Sequence, residues 1–218
     1  MQIYVCVKHV PDTAANIKIV GENGFDDAGC KFIANPYDEY AVEQAVQLVE
    51  KNGGEVIVVT VGKAVAAATI RAAMAMGAHR GILITVDSQF LDSQTTAQAL
   101  KVAIEQDGKP DIIFTGKGAV DSEGFQTLYR LAAGMNLPVV NEINKMEYPK
   151  FPDIMKAKKK EIKQITIADL GISVDGAQSE LEKLEKTPDR SGAKMLEGDV
   201  RQAVEELVNI LKEEEKVI

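Results

Sequence analysis

The sequence is poor in the residues that usually build metal sites, and this scarcity excludes several classes of protein. Cys6 and Cys30 are the only cysteines, and no Cys-x-x-Cys pair occurs. Two isolated cysteines cannot supply the ligands of an iron–sulfur cluster or a zinc site. His9 and His79 stand alone, without the spacing of metal ligands. We therefore predict no metal site.

Positive charge and long apolar runs are also scarce. The chain has 25 basic and 33 acidic residues, a net charge of −8 and a pI near 4.9. Counterion release would oppose binding of such a chain to nucleic acid, so no nucleic-acid partner is predicted. No apolar run approaches the roughly 18 residues of a membrane-spanning helix, so no membrane insertion is predicted. The chain begins on a predicted strand without a basic leader, and we expect a cytoplasmic protein.

Familiar catalytic motifs are missing as well. The sequence contains no Gly-x-Ser-x-Gly, no His-Glu-x-x-His and no Ser-Gly-Gly-x-Asp-Ser. Asp121 and Glu123 follow a glycine-bearing turn but have no nucleophile or base near them in sequence, so charges at a helix start are the favoured interpretation. We expect no catalytic residues, and a carrier or binding protein whose chemistry belongs to a bound cofactor.

What the first 140 residues do contain is an alternation of β-rich runs and helical patterns. This alternation predicts an α/β fold with a doubly wound, mostly parallel sheet and right-handed crossovers. Asp38 is expected to cap the first helix, and Leu137-Pro-Val-Val is expected to lead into a further extended segment. Strands are predicted to begin at Ile3, Val56, Gly81 and Ile112, a hairpin near Gly21–Gly24, and helices over 39–51, 64–76, 92–106 and 126–136.

The segment Asp111–Thr127 is the most informative stretch of the chain. A short apolar run ends in Gly116-Lys117-Gly118, and a helical pattern opens at Thr127. A strand, a glycine-bearing turn and a helix leave backbone N–H groups free at the positive end of the helix, where a nucleotide phosphate can bind. An ordinary turn, in which the glycines serve only backbone geometry, is the alternative. The loop matches neither Gly-x-x-x-x-Gly-Lys-Ser/Thr nor Gly-x-Gly-x-x-Gly.

The last third of the chain has a different composition. Residues 141–218 hold 31 charged residues, whereas the first 140 hold 27. The polar segment 173–198 shows neither helical nor strand periodicity, and an amphipathic helix is predicted over 200–211. We predict a nucleotide-binding domain over 1–148, and a docking loop, an extended arm and a terminal helix over 149–218. A disordered acidic tail is the alternative.

A basic patch occurs in this otherwise acidic chain. Lys156-Ala-Lys-Lys-Lys160 follows the apolar residues Phe151, Ile154 and Met155. Apolar anchors beside a charged rim are typical of docking surfaces, so this strip is predicted to bind an acidic partner. A solvated face is the alternative interpretation.

The chain resembles the β (small) subunit of electron-transfer flavoprotein, and the matching strings are spread along most of its length. Ala-Met-Gly-Ala and Ile-Met-Lys-Ala-Lys-Lys-Lys are the most specific of them. The strings are Val5-Cys-Val-Lys-His-Val-Pro-Asp-Thr13, Asn35-Pro-Tyr-Asp-Glu-Tyr-Ala-Val-Glu43, Ala72-Ala-Met-Ala-Met-Gly-Ala-His-Arg-Gly81, Gly116-Lys-Gly-Ala-Val-Asp121, Phe151-Pro-Asp-Ile-Met-Lys-Ala-Lys-Lys-Lys160 and Arg190-Ser-Gly-Ala-Lys-Met-Leu-Glu-Gly198.

This resemblance implies a heterodimer with a larger, FAD-binding α subunit, in which the β subunit folds as a HUP-like adenine-nucleotide domain with a wrapping tail. Electrons pass in that family from acyl-CoA-type dehydrogenases to FAD, and then to a quinone oxidoreductase or another acceptor. The β subunit buries AMP or, in electron-bifurcating members, a second FAD. The loop here is intermediate between the two kinds, and AMP is the favoured expectation.

The same resemblance assigns roles to particular residues. The implied nucleotide contacts are Cys6, Asn35, Pro36, Tyr37, Asp38, Val61, Gly116, Lys117, Gly118, Ala119, Val120, Asp121, Ser122, Glu123, Gly124, Phe125, Gln126 and Thr127. The implied partner-docking residues are Phe151, Ile154, Met155, Lys156, Lys158, Lys159 and Lys160.

One departure from the family concerns length. Leu137-Pro-Val-Val directly follows the helix of residues 126–136, where the family has a sizeable segment with extra strands, so that segment is expected to be missing here. A stand-alone adenine-nucleotide sensor of the universal-stress type is the competing hypothesis, since it would use the same crevice without a partner.

Overall fold

A computed structural model describes residues 1–140, 151–174, 177, 179–185 and 195–214. The strands are β1 (Gln2–Cys6), β2 (His9–Pro11), β3 (Ile19–Val20), β4 (Gly24–Phe25), β5 (Phe32–Ala34), β6 (Glu55–Gly62), β7 (Arg80–Thr85), β8 (Ile112–Thr115) and β9 (Ile162–Thr166).

Six α-helices lie in the described part of the chain. They are α1 (Pro36–Asn52), α2 (Ala67–Ala75), α3 (Ser93–Asp107), α4 (Thr127–Gly134), α5 (Phe151–Ala157) and α6 (Val200–Asn209). A 3₁₀ turn over Ala64–Ala66 precedes α2, and a π-helical turn over Ile210–Glu214 follows α6.

Five parallel strands form the central sheet, in the order β8-β1-β6-β7-β9. The central strands are apolar on both faces: Ile3 to Val5 and Val56 to Val59 are fully buried. Continuous β-branched runs of this kind are typical of strands covered by helices on both sides. Two antiparallel pairs, β2–β5 and β3–β4, lie outside this sheet.

Helices cover both faces of the sheet and divide the core into two clusters. On one face α1 and α2 pack against Val5 and Val58, joined by Ala157 of α5. On the other face α3 and Leu131 of α4 pack against Ile57 and Ile84. The predicted α/β class with a doubly wound parallel sheet is confirmed, because each crossover places its helix on one of these two faces.

Several predictions about individual elements need correction. Asp38 does not cap α1, which begins at Pro36 with Asn35 at the N-cap position. Residues 137–140 themselves form no strand, and the extended segment expected after them falls on 141–150, outside the described residues, so it stays a prediction. The helix predicted over 64–76 is shorter, because its first turn is 3₁₀.

The described chain divides into two compact units, Met1–Leu184 and Glu185–Ile218. The predicted domain boundary at residue 148 falls within 141–150, outside the described residues, and stays a prediction. In the second unit α6 starts with a capping box, in which Asp199 accepts from Gln202 N and the Gln202 side chain accepts from Asp199 N. No residue of α6 is buried by the residues that the structure describes.

Candidate functional site

The strand order reverses at β1, which lies between β6 and β8. In open parallel sheets a crevice forms at such a reversal, beyond the carboxyl ends of the two strands that flank it. Here those ends are Cys6 on β1 and Thr115 on β8, which are paired in register. The loop that follows each strand therefore borders the same crevice, and Asn35 and Asp38 at the start of α1 contact both loops.

Asn35 joins the two loops of the crevice. Its side-chain Nδ2 donates to the carbonyl of Gly118 at 2.8 Å, and its Oδ1 accepts from the N–H of Val120 at 3.1 Å. Its own backbone N–H donates to the carbonyl of Lys8 at 2.9 Å. Asn35 is 1% exposed, so both ends of its amide are satisfied away from water. This side chain holds the loop after β8 beside the loop after β1.

Asp38 makes a second connection between the same loops. One carboxylate oxygen accepts from the N–H of Lys8 at 2.7 Å, and the other accepts from the N–H of Gly116 at 2.9 Å. Burial raises the pKa of Asp38 to about 7, although these N–H donors favour its charged form. A Cβ on Gly116 would lie 2.4 Å from the Asp38 carboxylate, so only glycine permits this approach.

Lys8 crosses the crevice to the loop after β8. Its ammonium lies 2.7 Å from the Asp121 carboxylate and 3.4 Å from the Ser122 hydroxyl. The Lys8 and Asp121 side chains are 45% and 26% exposed, so the ion pair lies at the mouth of the crevice rather than in the core. Lys8 was absent from the set of predicted contacts, because 113 residues separate it from Asp121.

The remainder of the loop has an unusual backbone. Glu123 and Phe125 both have positive φ, 45° and 49°, which is rare for residues other than glycine. A Cβ on Gly118 would lie only 2.5 Å from the Phe125 ring, so a larger residue at position 118 would clash with this ring. The loop then enters α4 at Thr127. Its geometry is thus fixed by a glycine that an aromatic ring covers.

The other predicted contacts border the same region. Lys117 places its ammonium 5.2 Å from the centroid of the Tyr37 ring, and Pro36 occupies the first turn of α1. Cys6 and Val61 both pack against the cluster on the α3 face of the sheet. Burial, reinforced by Asp38, raises the pKa of the Cys6 thiol to about 12, so this sulfur stays protonated.

The residues of this crevice fit an adenine nucleotide. The first turn of α4 offers backbone N–H groups without intrahelical acceptors, and the helix dipole favours an anion there. A covered loop and half-buried apolar residues at the ends of β1 and β6 suit the base and sugar. Among the described residues no group of three or more potential metal ligands comes together.

The predicted docking residues lie on and after α5. Ile154 and Met155 are 42% and 47% exposed, and Lys156 forms an ion pair with Asp153 one turn earlier. The side chain of Phe151 lies outside the described part of the structure. Lys158 and Lys159 are exposed, whereas the Lys160 ammonium donates to the backbone carbonyls of Met74 and Ala78. No helix among the described residues combines the length and apolar composition that a bilayer crossing requires.

Comparison with known proteins supplies a family. The model of the electron transfer flavoprotein domain matches residues 23–151. The chain is 32% identical over 260 positions to the electron transfer flavoprotein subunit beta of Bacillus subtilis and 33% identical over 259 positions to that of Bradyrhizobium diazoefficiens, covering all of each chain. It is 39% identical over 152 positions to the FixA protein of Sinorhizobium fredii, covering 67% of this chain and 53% of FixA.

The lengths of these alignments bear on the expected missing segment. The alignment with the Bacillus subtilis protein runs over 260 positions, at least 42 more than the 218 residues of this chain. That relative therefore has residues without counterparts here, as the sequence led us to expect. Where they fall along the chain, next to residue 137 or elsewhere, stays a prediction.

Proposed function

Because this chain belongs to the electron transfer flavoprotein family, we propose that it is the β subunit of such a protein. In this proposal it pairs with an FAD-binding α subunit in the cytoplasm. The pair takes electrons from acyl-CoA-type dehydrogenases and delivers them to a quinone reductase or another acceptor. The bound FAD supplies the redox chemistry, and this chain contributes binding surfaces rather than catalytic groups.

The observation that supports this function best is the hydrogen-bonded junction of the loops that follow β1 and β8. Asn35 and Asp38 tie the loops after both strands together through four hydrogen bonds. We propose that the crevice holds AMP, with its phosphate against the first turn of α4 and its adenosine beside Cys6 and Val61. A second FAD is the alternative ligand. In either case the nucleotide fixes the loop, and the loop does no chemistry.

The terminal helix α6 supports a permanent partner. Val204, Leu207 and Val208 recur at helical spacing and are 53%, 44% and 44% exposed. An amphipathic helix with no residue buried by the described part of the chain still presents its apolar face for packing. We propose that this face packs on the α subunit, which would explain why a polar arm leads to it.

We propose that α5 docks the dehydrogenase. Its exposed Ile154 and Met155 provide apolar anchors, and Lys156, Lys158 and Lys159 provide a cationic rim. Such a rim selects an acidic surface and accelerates encounter, while the apolar anchors provide most of the affinity. The docked partner then brings its own cofactor near the FAD of the α subunit.

Co-expression with an electron transfer flavoprotein α subunit tests the proposal. We expect one stable pair that shows flavin absorbance, and acid extraction should release one FAD and one AMP. Two FAD molecules per pair would identify the alternative ligand. Deletion of residues 185–218 should leave the first unit folded and abolish pairing. A chain that stays single, keeps its nucleotide after that deletion and never acquires flavin would overturn the proposal in favour of a stand-alone sensor.

A further inference from the structure

The proposed docking helix α5 is too short to hold its own position. It has seven residues, and isolated helices of this length are not stable in water. One side is anchored in the core through Ala157, which is 1% exposed, while Ile154 and Met155 face outward. The contacts at its ends therefore decide how these two side chains are presented.

Arg71 of α2 contacts the carboxyl end of α5. Its Nη1 atom donates to the carbonyls of Ala157 at 2.9 Å, Lys158 at 3.0 Å and Lys160 at 3.3 Å. The last carbonyls of a helix lack intrahelical donors and bear partial negative charge, so a guanidinium is a favourable cap. Arg71 is half-buried, which strengthens these charge-assisted bonds relative to the same bonds in water.

Lys160 makes the reciprocal contact with α2. Its ammonium donates to the carbonyl of Met74 at 3.0 Å and to that of Ala78 at 2.5 Å, at the carboxyl end of α2. Burial lowers the pKa of Lys160, in keeping with an ammonium directed inward. The backbone carbonyl of Glu161, the residue after Lys160, accepts from the N–H of Gly81 at 3.0 Å, and β9 then pairs with β7. Arg71 of α2 therefore caps the carboxyl end of α5, and Lys160, which follows α5, caps the carboxyl end of α2.

We propose that Arg71 and Lys160 are positioning residues, which lock α5 to the sheet domain and fix the presentation of Ile154 and Met155. The effect on docking rests on the proposed function of α5, but the lock itself does not. Lys160 differs in this respect from Lys158 and Lys159, whose exposed ammonium groups serve the cationic rim. A run of lysines that looks uniform in sequence thereby has two roles.

The test uses the complete two-subunit protein with Arg71→Met and Lys160→Met, and with Lys158→Met as the matched control. Amide hydrogen exchange is followed for residues 154–160 and for β6 and β7. We expect exchange in α5 to accelerate about tenfold or more in both positioning variants. Loss of a hydrogen bond to a charged group raises the equilibrium constant for local opening by about this factor or more. Exchange in α5 should be unchanged in Lys158→Met, and exchange in β6 and β7 should be unchanged in all three variants.

Affinity for a purified acyl-CoA dehydrogenase provides the second measurement. The control variant should lose affinity at low salt only, because it removes an exposed charge that salt screens. The positioning variants should lose about threefold to tenfold at low and at high salt, because their defect is geometric. Unchanged exchange in α5 would overturn the proposal, and so would a Lys160→Met defect that high salt abolishes.

Failure of the docking function gives a different result. If Ile154→Ser, Met155→Ser and Lys158→Met all leave dehydrogenase affinity unchanged, α5 is not the docking helix, while the exchange data still judge the lock. Should Arg71→Met accelerate exchange in β6 and β7 as well, the domain itself is damaged. Lys160→Met and the milder Arg71→Gln then decide, and acceleration confined to α5 in neither of them would overturn the proposal.

Discussion

The two compact units of this chain use their apolar residues in opposite ways. In the first unit β6 buries Val56 to Val59 completely, and helices cover both faces of the sheet. In the second unit α6 has a good capping box and an apolar stripe, yet buries nothing. The first unit is stabilised by apolar residues that pack against one another within that unit. The second is built to form a helix, and its apolar face still lacks a counterpart among the described residues.

A matched pair of leucines sharpens this comparison most strongly. Leu83 on β7 is fully buried, whereas Leu207 on α6 is 44% exposed. Leu83→Ala should lower the free energy of unfolding of the isolated chain by about 2–5 kcal/mol, since it leaves a cavity. Leu207→Ala should change it by less than about 0.5 kcal/mol. Urea titration of both variants measures the difference.

The order of the two effects should reverse when pairing with the α subunit is measured instead of stability. Leu207→Ala should weaken pairing with the α subunit, and Leu83→Ala should leave it unchanged at temperatures where the variant is folded. Equal destabilisation of the isolated chain by both variants would contradict the contrast between the units.

The pH dependence of stability distinguishes the crevice from α6. Burial raises the pKa of Asp38 from 3.8 to about 7. Between these values the folded chain binds more protons at this site than the unfolded chain, so the contribution of Asp38 to stability falls as pH rises and levels off above about 7. The unfolding free energy of the wild type minus that of Asp38→Asn should fall with a slope that approaches about 1.4 kcal/mol per pH unit.

Chemical denaturation at pH 4 to 8 measures this slope. Leu207→Ala on α6 removes no titratable group and is the control, so its difference from the wild type should be nearly flat over the same range. A flat difference for Asp38→Asn would mean that the carboxylate is charged throughout and that the crevice is more hydrated than its geometry indicates.

A matched pair of asparagines tests the clamp, that is, the two hydrogen bonds by which the Asn35 side chain holds the loop after β8. Asn35→Ala leaves the carbonyl of Gly118 and the N–H of Val120 without their partners and should cost about 1–3 kcal/mol. Asn209→Ala, at the exposed end of α6, should cost less than about 0.5 kcal/mol. Asn35→Ala should also reduce the AMP recovered by extraction. Retention of full AMP with the expected loss of stability would separate the clamp from nucleotide binding.

The smallest effect concerns the two ion pairs. Lys8 and Asp121 bridge two loops at the crevice mouth, whereas Arg201 and Glu205 are neighbours on α6 and are 89% and 67% exposed. Double-mutant cycles should give a coupling of about 0.2–1 kcal/mol for the first pair and less for the second, both declining with salt. A larger coupling on α6 would indicate that the second unit is more compact in isolation than its burial shows.

Local patterns in the sequence predicted the frame of this fold well. Continuous apolar runs ending in turn residues located β1, β6, β7 and β8, and the helix predicted over 92–106 is observed as α3, with Asp92 at its N-cap. The pattern failed at α5 and β9. Pro152 and the lysines hide the short helix, and β9 is an edge strand with mixed polarity, IKQIT. Both elements depend on tertiary contacts with α2 and β7, which no local period reports.

The site divides in a similar way. Family motifs brought Asn35, Asp38 and the loop from Gly116 onto one list, and the structure brings them together at the reversal of strand order. The sequence analysis did not identify the roles of Lys8 and Arg71, because their partners lie more than 80 residues away and no local spacing connects them. Asp38 was expected at a helix cap, but the approach of Gly116 gives it a bridging position instead. Long-range polar pairing is the part that sequence patterns do not encode.

Native mass spectrometry of the co-expressed pair tests the central claim most directly, since it counts subunits and nucleotides in one spectrum. The account predicts one copy of this chain, one α subunit, one FAD and one adenine nucleotide, with the share of pairs that hold the adenine nucleotide reduced in the Asn35→Ala variant. A spectrum showing this chain alone, without flavin and with the crevice variants indistinguishable from the wild type, would contradict it.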